Sequence, residues 1–403
     1  MSANTPTVSK TAEALPPPTE RYSVIRWLHR NLFSTWYNAL LTLVMLLLAA
    51  VIVRGVLEWA FTQARWEVIT ANLRLFMVGQ YPVTAIWRIW ACVALLALLI
   101  GMSWGIWGGT QHGGAIAFGA LPFILAIITS DETARFALVI TGIAGGVGYA
   151  LSWQWNATLR RISIIGWILY FPILFVLVSG FGVNDSPISP VPTNLWGGLL
   201  LTLLLSVVGI VFSFPLGVLL ALGRQSSLPV VRWLCVAYIE LIRGVPFISV
   251  LFMAQLMLPL FLPGVTIDRV VRAMAGVVIF SAAYLAENVR GGLQSIPRGQ
   301  YEAARALGLN PWKTTLLIIL PQALRAVIPI LVGQFIALFK DTSLVVIVGL
   351  LDLMGIARTV LAQPDFLGLQ AEVYTFVAFI YGIFCYLMSA FSQRLEAKLH
   401  TGR

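Results

Sequence analysis

The chain reads Glu302-Ala303-Ala304-Arg305-Ala306-Leu307-Gly308 at one point, and after nine further residues it reads Ile318-Ile319-Leu320-Pro321. From Arg298 to Leu307 the pattern favours a helix that is too short and too polar to cross a bilayer. Gly308 is suited to end that helix in a left-handed conformation, and Pro311 discourages its continuation. The stretch therefore predicts a short polar helix, residues 298–308, between two apolar segments.

Composition places this helix in a membrane protein. Hydrophobic residues make up 59% of the 403 residues, charged residues make up only 10%, and the mean hydropathy is +0.89. Soluble globular chains carry about 25% charged residues. We therefore predict an all-α fold, a polytopic bundle of membrane helices.

Ten apolar runs are long enough, or nearly long enough, to be membrane spans. They lie at about 36–58, 86–108, 115–130, 136–154, 162–180, 197–222, 233–260, 271–287, 316–338 and 373–392. With the N-terminus inside, most Lys and Arg residues fall in inner segments, as the positive-inside bias predicts, whereas Arg65, Arg74 and Arg269 do not. The net charge of +10 therefore indicates membrane topology rather than a nucleic acid partner.

A polar connector divides the chain. Residues 181–195 contain three prolines and no basic residue, which is typical of an external linker between two membrane halves. We therefore predict a cytoplasmic disordered tail over 1–35, an N-terminal transmembrane extension over 36–180, and a second membrane half over 196–395.

The extension carries glycines at helical spacing, namely Gly101, Gly105 and Gly109, and Gly142 with Gly146. Such spacing flattens one face of a helix for close packing. The close packing is either within the chain or at a dimer contact.

On the predicted short helix, Arg298, Glu302 and Arg305 are spaced to share one face. Ala303 and Ala304 leave the backbone approachable by another surface. Taken alone, the helix is either a solvated connector or a docking element for another protein.

The full spacing is Glu-Ala-Ala, three residues, Gly, nine residues and then Ile-x-Leu-Pro, and this sequence matches all of it. The spacing resembles the coupling-loop signature of permease subunits of ATP-binding-cassette (ABC) importers. The resemblance implies a type I ABC importer permease core in the inner (plasma) membrane, with a coupling helix that fits a groove on a cytoplasmic ATPase. The residues implied in this contact are Arg298, Glu302, Ala303, Ala304, Arg305 and Gly308.

The resemblance extends over about residues 193–395 and narrows to permeases for polar amino acids. The stretches that carry it are Thr202-Leu203, Tyr238-Ile239-Glu240-Leu241-Ile242-Arg243-Gly244-Val245-Pro246, Arg290-Gly291-Gly292-Leu293-Gln294-Ser295-Ile296-Pro297-Arg298-Gly299-Gln300-Tyr301 and Lys340-Asp341-Thr342-Ser343-Leu344. The added N-terminal half resembles the permeases of general L-amino acid importers, which work as two related but different permease chains.

The resemblance also implies the partners. They are a dimer of cytoplasmic ATP-binding subunits that hold ATP and Mg, a second permease chain that is a paralogue, a periplasmic amino-acid-binding protein, and the lipid bilayer. We expect no cofactor bound by this chain and no nucleic acid partner.

Charged residues inside the predicted spans are candidates for substrate contact, because a charge at a helix centre costs about 2.5–3.5 kcal/mol on insertion scales. An amino acid zwitterion needs an acceptor for its ammonium group and donors for its carboxylate. The candidate acceptors are Glu240, Glu287 and Asp341, and the candidate donors are Lys340, Thr342 and Ser343.

A structural role for the same charges stays open. Glu240 and Arg243 are three residues apart, as are Glu287 and Arg290, so each pair can meet on one helix face and lock the bundle. The adjacent Lys340 and Asp341 cannot face the same way on a regular helix. We therefore expect a break or a cavity-lining loop at residues 340–341.

No residue set supports catalysis or metal binding by this chain. The nearest approach to a phosphate-binding loop, residues 308–314, lacks the glycine before the lysine and follows no strand. His29, His112 and His400 have no metal-ligand spacing. ATP hydrolysis is therefore expected on a separate subunit.

Two rival functions stay open. One is a secondary amino acid transporter coupled to an ion gradient through Glu240, Glu287 and Asp341. The other is a membrane scaffold that transports nothing and uses its glycine-spaced spans for contacts.

Overall fold

The computed structural model describes residues 24–108, 112–129, 131–154, 156–182, 186, 188–264 and 266–400. This part of the chain is almost wholly helical, and it contains two isolated β-bridges but no strand. The prediction of an all-α membrane bundle is confirmed. Contacts divide the chain into two units, Met1–Arg65 and Trp66–Arg403.

The first unit contains α1 (Val24–Asn31) and α2 (Trp36–Glu58), and a π-helical turn, Trp59–Gln63, follows α2. None of the α2 residues is buried. An apolar helix with this exposure is suited to lipid surroundings. Residues 1–23 of the predicted tail lie outside the described residues, and the next eight residues form α1.

The second unit begins with five helices of the extension. They are α3 (Glu67–Val78), α4 (Ile86–Trp107), α5 (His112–Ile128), α6 (Glu132–Gln154) and α7 (Asn156–Ser179). A Cβ on Gly101 of α4 would lie only 2.1 Å from the carbonyl oxygen of Gly145 in α6. The packing of Gly101 within the chain is therefore confirmed, whereas Gly109 lies outside the described residues.

Ten further helices follow the connector. They are α8 (Gly198–Arg224), α9 (Pro229–Arg243), α10 (Phe247–Phe252), α11 (Leu258–Phe261), α12 (Arg269–Gln294), α13 (Arg298–Ala306), α14 (Pro311–Lys313), α15 (Leu320–Asp341), α16 (Leu353–Leu361) and α17 (Gln370–His400). A π-helical turn, Thr314–Ile319, joins α14 to α15, and a 3₁₀ segment, Thr342–Val348, follows α15.

Eight helices in the described part are long and apolar enough to cross a membrane. The predicted span over 233–260 is not one continuous helix, because the chain bends by 106° between α9 and the segment Phe247–Phe261. Pro246 has no backbone N–H and disfavours the helical conformation at Val245. This bent pair makes a ninth span if it crosses as one, and α5 is shorter than the eight.

The extension and the second half share hydrophobic clusters. Tyr81, Cys92 and Val178 of the extension pack in one buried cluster with Trp196 and Leu201. The sequence pattern did not predict the helices α3 and α16, which are too short to be spans. The α3 residues Val68, Ile69 and Phe76 join a second cluster, whose partners from α16 and α17 are Leu353, Ile356, Ala357, Val360, Val373 and Val377.

Three glycines allow backbones to cross beside these clusters. Gly79 pairs with Trp196, and Gly198 pairs with Asp352, in the two isolated bridges. Gly79 and Gly198 have φ of +65° and +60°, a region that residues with a Cβ rarely adopt. A Cβ on Gly79 would lie 2.5 Å from the Cα of Gly197, and one on Gly198 would lie 2.3 Å from the carbonyl oxygen of Phe76. We call this contact the glycine crossing.

The polar connector is held on both sides. The Arg88 guanidinium, in α4, donates to the Ser189 carbonyl at 2.9 Å. Thr193 donates a hydrogen bond to Asp268, which also caps α12 by accepting from the N–H groups of Val270 and Val271. These bonds attach the described part of the connector to both halves.

Candidate functional site

The helix α13 begins after Pro297 and ends in a complete C-terminal cap. Gly308 has φ of +75°, and its N–H donates to the Arg305 carbonyl at 2.9 Å. The Leu309 N–H donates to the Ala304 carbonyl at 3.1 Å, which completes a Schellman motif. The predicted helix stop at Gly308 is confirmed.

One side of α13 is buried and the other is open. Ala304 is 1% exposed, and Tyr301 packs against the cluster between α12 and α15. Glu302 is exposed, as are Ala303 and Leu307, and Leu307 is 78% exposed. The predicted side chains Arg298 and Arg305 are also exposed, and no ion pair joins either of them to Glu302 among the described residues. The open side of α13 therefore offers both charge and apolar surface.

Short bonds connect α13 to the span that follows. Asn310 caps α14 by accepting from the Lys313 N–H at 2.8 Å. Gln322, at the start of α15, donates to the Gln300 side chain of α13 at 3.2 Å. Ile319, from the Ile-x-Leu-Pro stretch, is fully buried. The Gln300–Gln322 bond therefore attaches α13 to the start of α15.

An ion-pair cluster lies where α8, α9 and α12 meet, at the end of the bundle that carries α13. Arg224 lies 3.0 Å from Glu240 and 3.3 Å from Glu287. Glu287 also pairs with Arg290, as predicted, and lies 3.8 Å from Arg243. The predicted pairing of Glu240 with Arg243 is wrong, because Arg224 reaches Glu240 from the end of α8. Both glutamates therefore have arginine partners within the chain.

The segment Lys340-Asp341-Thr342-Ser343 lies at the change from α15 to the 3₁₀ segment. The expected break or cavity-lining loop at residues 340–341 is not found, because Lys340 and Asp341 are the last two residues of α15 and the 3₁₀ segment follows directly. Lys340 is exposed, Asp341 and Ser343 are partly exposed, and Thr342 is fully buried with its hydroxyl donating to the Phe339 carbonyl at 2.7 Å. No ion pair within 4 Å engages Lys340 or Asp341 among the described residues. The four residues are consecutive, and none of them takes part in the ion-pair cluster of Glu240 and Glu287.

Comparison with known proteins gives two kinds of match. Residues 213–401 match the family of binding-protein-dependent transport system inner membrane components. The inner membrane amino-acid ABC transporter permease YhdY of Escherichia coli K12 is 41% identical over 393 residues, which cover 94% of this chain and 93% of that one. This chain belongs to the amino-acid ABC transporter permeases.

Two other permeases show how the likeness is distributed. The glutamate/glutamine/aspartate/asparagine transport system permease BztC of Rhodobacter capsulatus is 36% identical over an alignment of 431 positions, gaps included, which covers 95% of each chain. The glutamate/aspartate import permease GltK of Escherichia coli O6:H1 is 41% identical over 202 residues, which cover 49% of this chain and 89% of that one. This permease is accordingly a multi-pass inner membrane protein. The shorter relative GltK aligns with only about half of it. Among its described residues no group of three metal-ligating side chains occurs.

This permease also contains a buried polar cluster that the sequence reading missed. Asp352 is fully buried and caps α16, accepting from Gly355 N–H at 2.9 Å and Met354 N–H at 3.2 Å. Thr202, singled out only as part of a motif, accepts from the Leu353 N–H at 3.1 Å. An aspartate directly before the amphipathic stretch 353–361 is a helix-start signal, and it was available in the sequence.

We predict that Asp352 makes the stability of this permease depend on pH. Burial raises the pKa of its carboxyl from 3.8 to about 7, against the lowering effect of the Gly355 and Met354 N–H groups, the Tyr381 hydroxyl and Arg358. The folded state favours the protonated carboxyl. Its contribution to the free energy of unfolding is therefore complete below about pH 4, the ordinary pKa of an aspartate, and is lost as the pH rises through about 7.

Asp352→Asn tests this, since asparagine also caps helices but does not ionise in this range. We expect the thermal unfolding midpoint of the variant to exceed that of the unchanged protein at pH 8 and to approach it at pH 5. Asp365→Asn, at an exposed position, is the control. A difference between variant and unchanged protein that is the same at both pH values contradicts the prediction.

Proposed function

We propose that this chain is the transmembrane permease subunit of an ATP-driven importer of L-amino acids. The observation that carries the proposal is α13, which is exposed on one side and bonded on the other to the span α15. In this proposal residues 298–308 form the coupling helix and lie on the cytoplasmic side. Residues 196–395 form the permease domain, 36–180 the membrane extension and 181–195 an external linker.

The driving force comes from another chain. ATP and Mg bind to a dimer of cytoplasmic ATP-binding subunits, whose closure pushes on the open side of α13. The cluster that Tyr301 joins and the bond between Gln300 and Gln322 pass that displacement to α12 and α15. The pathway then alternates between outward and inward access. This permease itself carries no hydrolytic residues in the proposal.

The substrate pathway forms between this chain and a second permease chain, a paralogue, and a periplasmic binding protein delivers the amino acid. Lys340 and Asp341 are the preferred contacts, because neither is engaged in an ion pair within the described part of the chain. The Lys340 ammonium suits the substrate carboxylate, and the Asp341 carboxylate suits the substrate ammonium. Thr342 and Ser343, at the start of the 3₁₀ segment, are further proposed contacts for the substrate carboxylate.

Glu240 and Glu287 are weaker candidates for substrate contact, because their arginine partners already balance them. A site that holds only the ammonium and carboxylate groups would admit side chains of several kinds. The name of BztC, which covers four amino acids, supports this breadth.

Reconstitution of the complex purified through this chain tests the proposal. We expect uptake of L-amino acids into vesicles to require ATP, the ATP-binding subunit and the binding protein. Transport that persists on an ion gradient without ATP and the ATP-binding subunit would overturn the proposal in favour of a secondary transporter. Absence of uptake under every condition would favour the scaffold. Mass spectrometry of the same preparation identifies the partner chains.

A further inference from the structure

Tyr381, on α17, lies where four elements of the permease meet. Its hydroxyl donates to the Asp352 carboxylate at 3.4 Å. The side chains of Thr202 and Thr342 lie close to the same hydroxyl. The Tyr381 phenol therefore bonds to the residue that caps α16 and lies beside the start of α8 and the end of α15.

The contacts of Tyr381 fall on both sides of Lys340 and Asp341. Before them, the Phe339 ring packs against the Tyr381 ring with centroids 5.2 Å apart. After them, Thr342 lies close to the Tyr381 hydroxyl. Because Phe339 and Thr342 are themselves joined by a 2.7 Å hydrogen bond, Tyr381 lies against both ends of the last helical turn of α15, which carries Lys340 and Asp341.

Asp352 in turn holds the Tyr381 hydroxyl. Both oxygens of its carboxylate accept backbone N–H bonds at the start of α16, so the acceptor cannot move away. Helix capping alone does not require a carboxylate, since serine, threonine and asparagine cap helices equally well. A fully buried acid is costly unless it has partners, and Tyr381 supplies one.

We propose that Tyr381, held by Asp352, is a positioning residue that keeps the Lys340–Asp341 turn in its substrate-binding conformation. This inference rests on the proposed function, because it assumes that Lys340 and Asp341 contact the amino acid. Tyr381 does not touch the substrate itself; it acts through Phe339 and Thr342.

Tyr381→Phe is the decisive variant, because it keeps the ring packing and removes only the hydroxyl. Tyr386→Phe is the matched control, since Tyr386 is on the same helix and is 73% exposed. The measurement is equilibrium binding of tritiated L-glutamate and L-glutamine to the purified complex at pH 8. Uptake, ATP hydrolysis and the unfolding midpoint are measured in parallel.

We expect Tyr381→Phe to raise Kd at least fivefold and to lower the unfolding midpoint only slightly, because the buried Asp352 carboxylate loses one of its partners. Asp352→Asn, which keeps the cap, should raise Kd at least twofold. A change in the unfolding midpoint with an unchanged Kd would show a purely structural role and overturn the inference. So would a Kd for Tyr381→Phe equal to that of the Tyr386→Phe control.

The unchanged complex separates this inference from the proposed function. If it binds and imports an L-amino acid while Tyr381→Phe behaves as the control does, only the positioning role is wrong. If it neither binds nor imports any L-amino acid, the proposed function and the inference are overturned together.

Discussion

Gly308→Asp is expected to abolish ATP-dependent uptake while the chain remains inserted in the membrane. Gly308 ends α13 with φ of +75°, and a Cβ there would meet no atom within 4 Å, so space within the chain is not the difficulty. Aspartate adds negative charge at a helix C-terminus, where the macrodipole is already negative. It also places a charge on the docking surface, where an unpaired charge costs several kcal/mol.

Gly308→Asn is the matched control, because asparagine has the same shape, tolerates the left-handed conformation and lacks the charge. We expect the Gly308→Asn variant to retain most uptake. The Gly308→Asp variant should lose uptake, along with co-purification of the ATP-binding subunit. Glu302→Lys should lose uptake in the same way, since Glu302 is exposed and has no partner in the described part of the chain. Full uptake and unchanged co-purification in both charged variants would refute the coupling role.

Lys340→Met should have the second large effect, a loss of uptake of at least about tenfold, which corresponds to about 1.4 kcal/mol. Methionine keeps most of the length of the lysine side chain and removes the proposed donor for the substrate carboxylate. Because Lys340 is exposed and makes no ion pair in the described part of the chain, its replacement should leave the fold and the ATPase contact intact.

Arg325→Gln is the control for Lys340→Met. Arg325 is an exposed cation on the same helix, fifteen residues earlier. Its replacement tests whether the loss of any positive charge from α15 reduces uptake. Asp341→Asn should reduce amino acid binding as Lys340→Met does. If Lys340→Met and Asp341→Asn both transport normally, the substrate site lies elsewhere in the permease.

Periodicity and turn residues were enough to predict what depends on neighbours in the sequence. The end of α13 at Gly308 follows from local stereochemistry. The signal for the bend at residues 244–246 was also present in Pro246. The average hydropathy of the segment does not reveal the bend, however, because a change in chain direction leaves hydropathy unchanged.

The remaining features depend on contacts between distant residues. Arg224 pairs with Glu240 only because α9 folds back across the end of α8, so spacing within α9 indicated the wrong partner. Asp352 and Tyr381 are 29 residues apart, and Thr202 is 151 residues from Leu353. Single-sequence patterns carry no information on such pairs. The amphipathic helices α3 and α16 were missed because each buries its apolar face on the other rather than in lipid.

The glycine crossing has a consequence for how such permeases change over generations. Loss of the first 195 codons in one step would remove Tyr81, Cys92 and Val178 from the cluster around Trp196 and Leu201, and would remove Gly79, the bridge partner of Trp196. A lineage that had gained these helices would need several replacements, toward side chains suited to lipid, before it could discard them. Gene length in this family should therefore be inherited in two discrete classes, with few intermediates that end inside the extension.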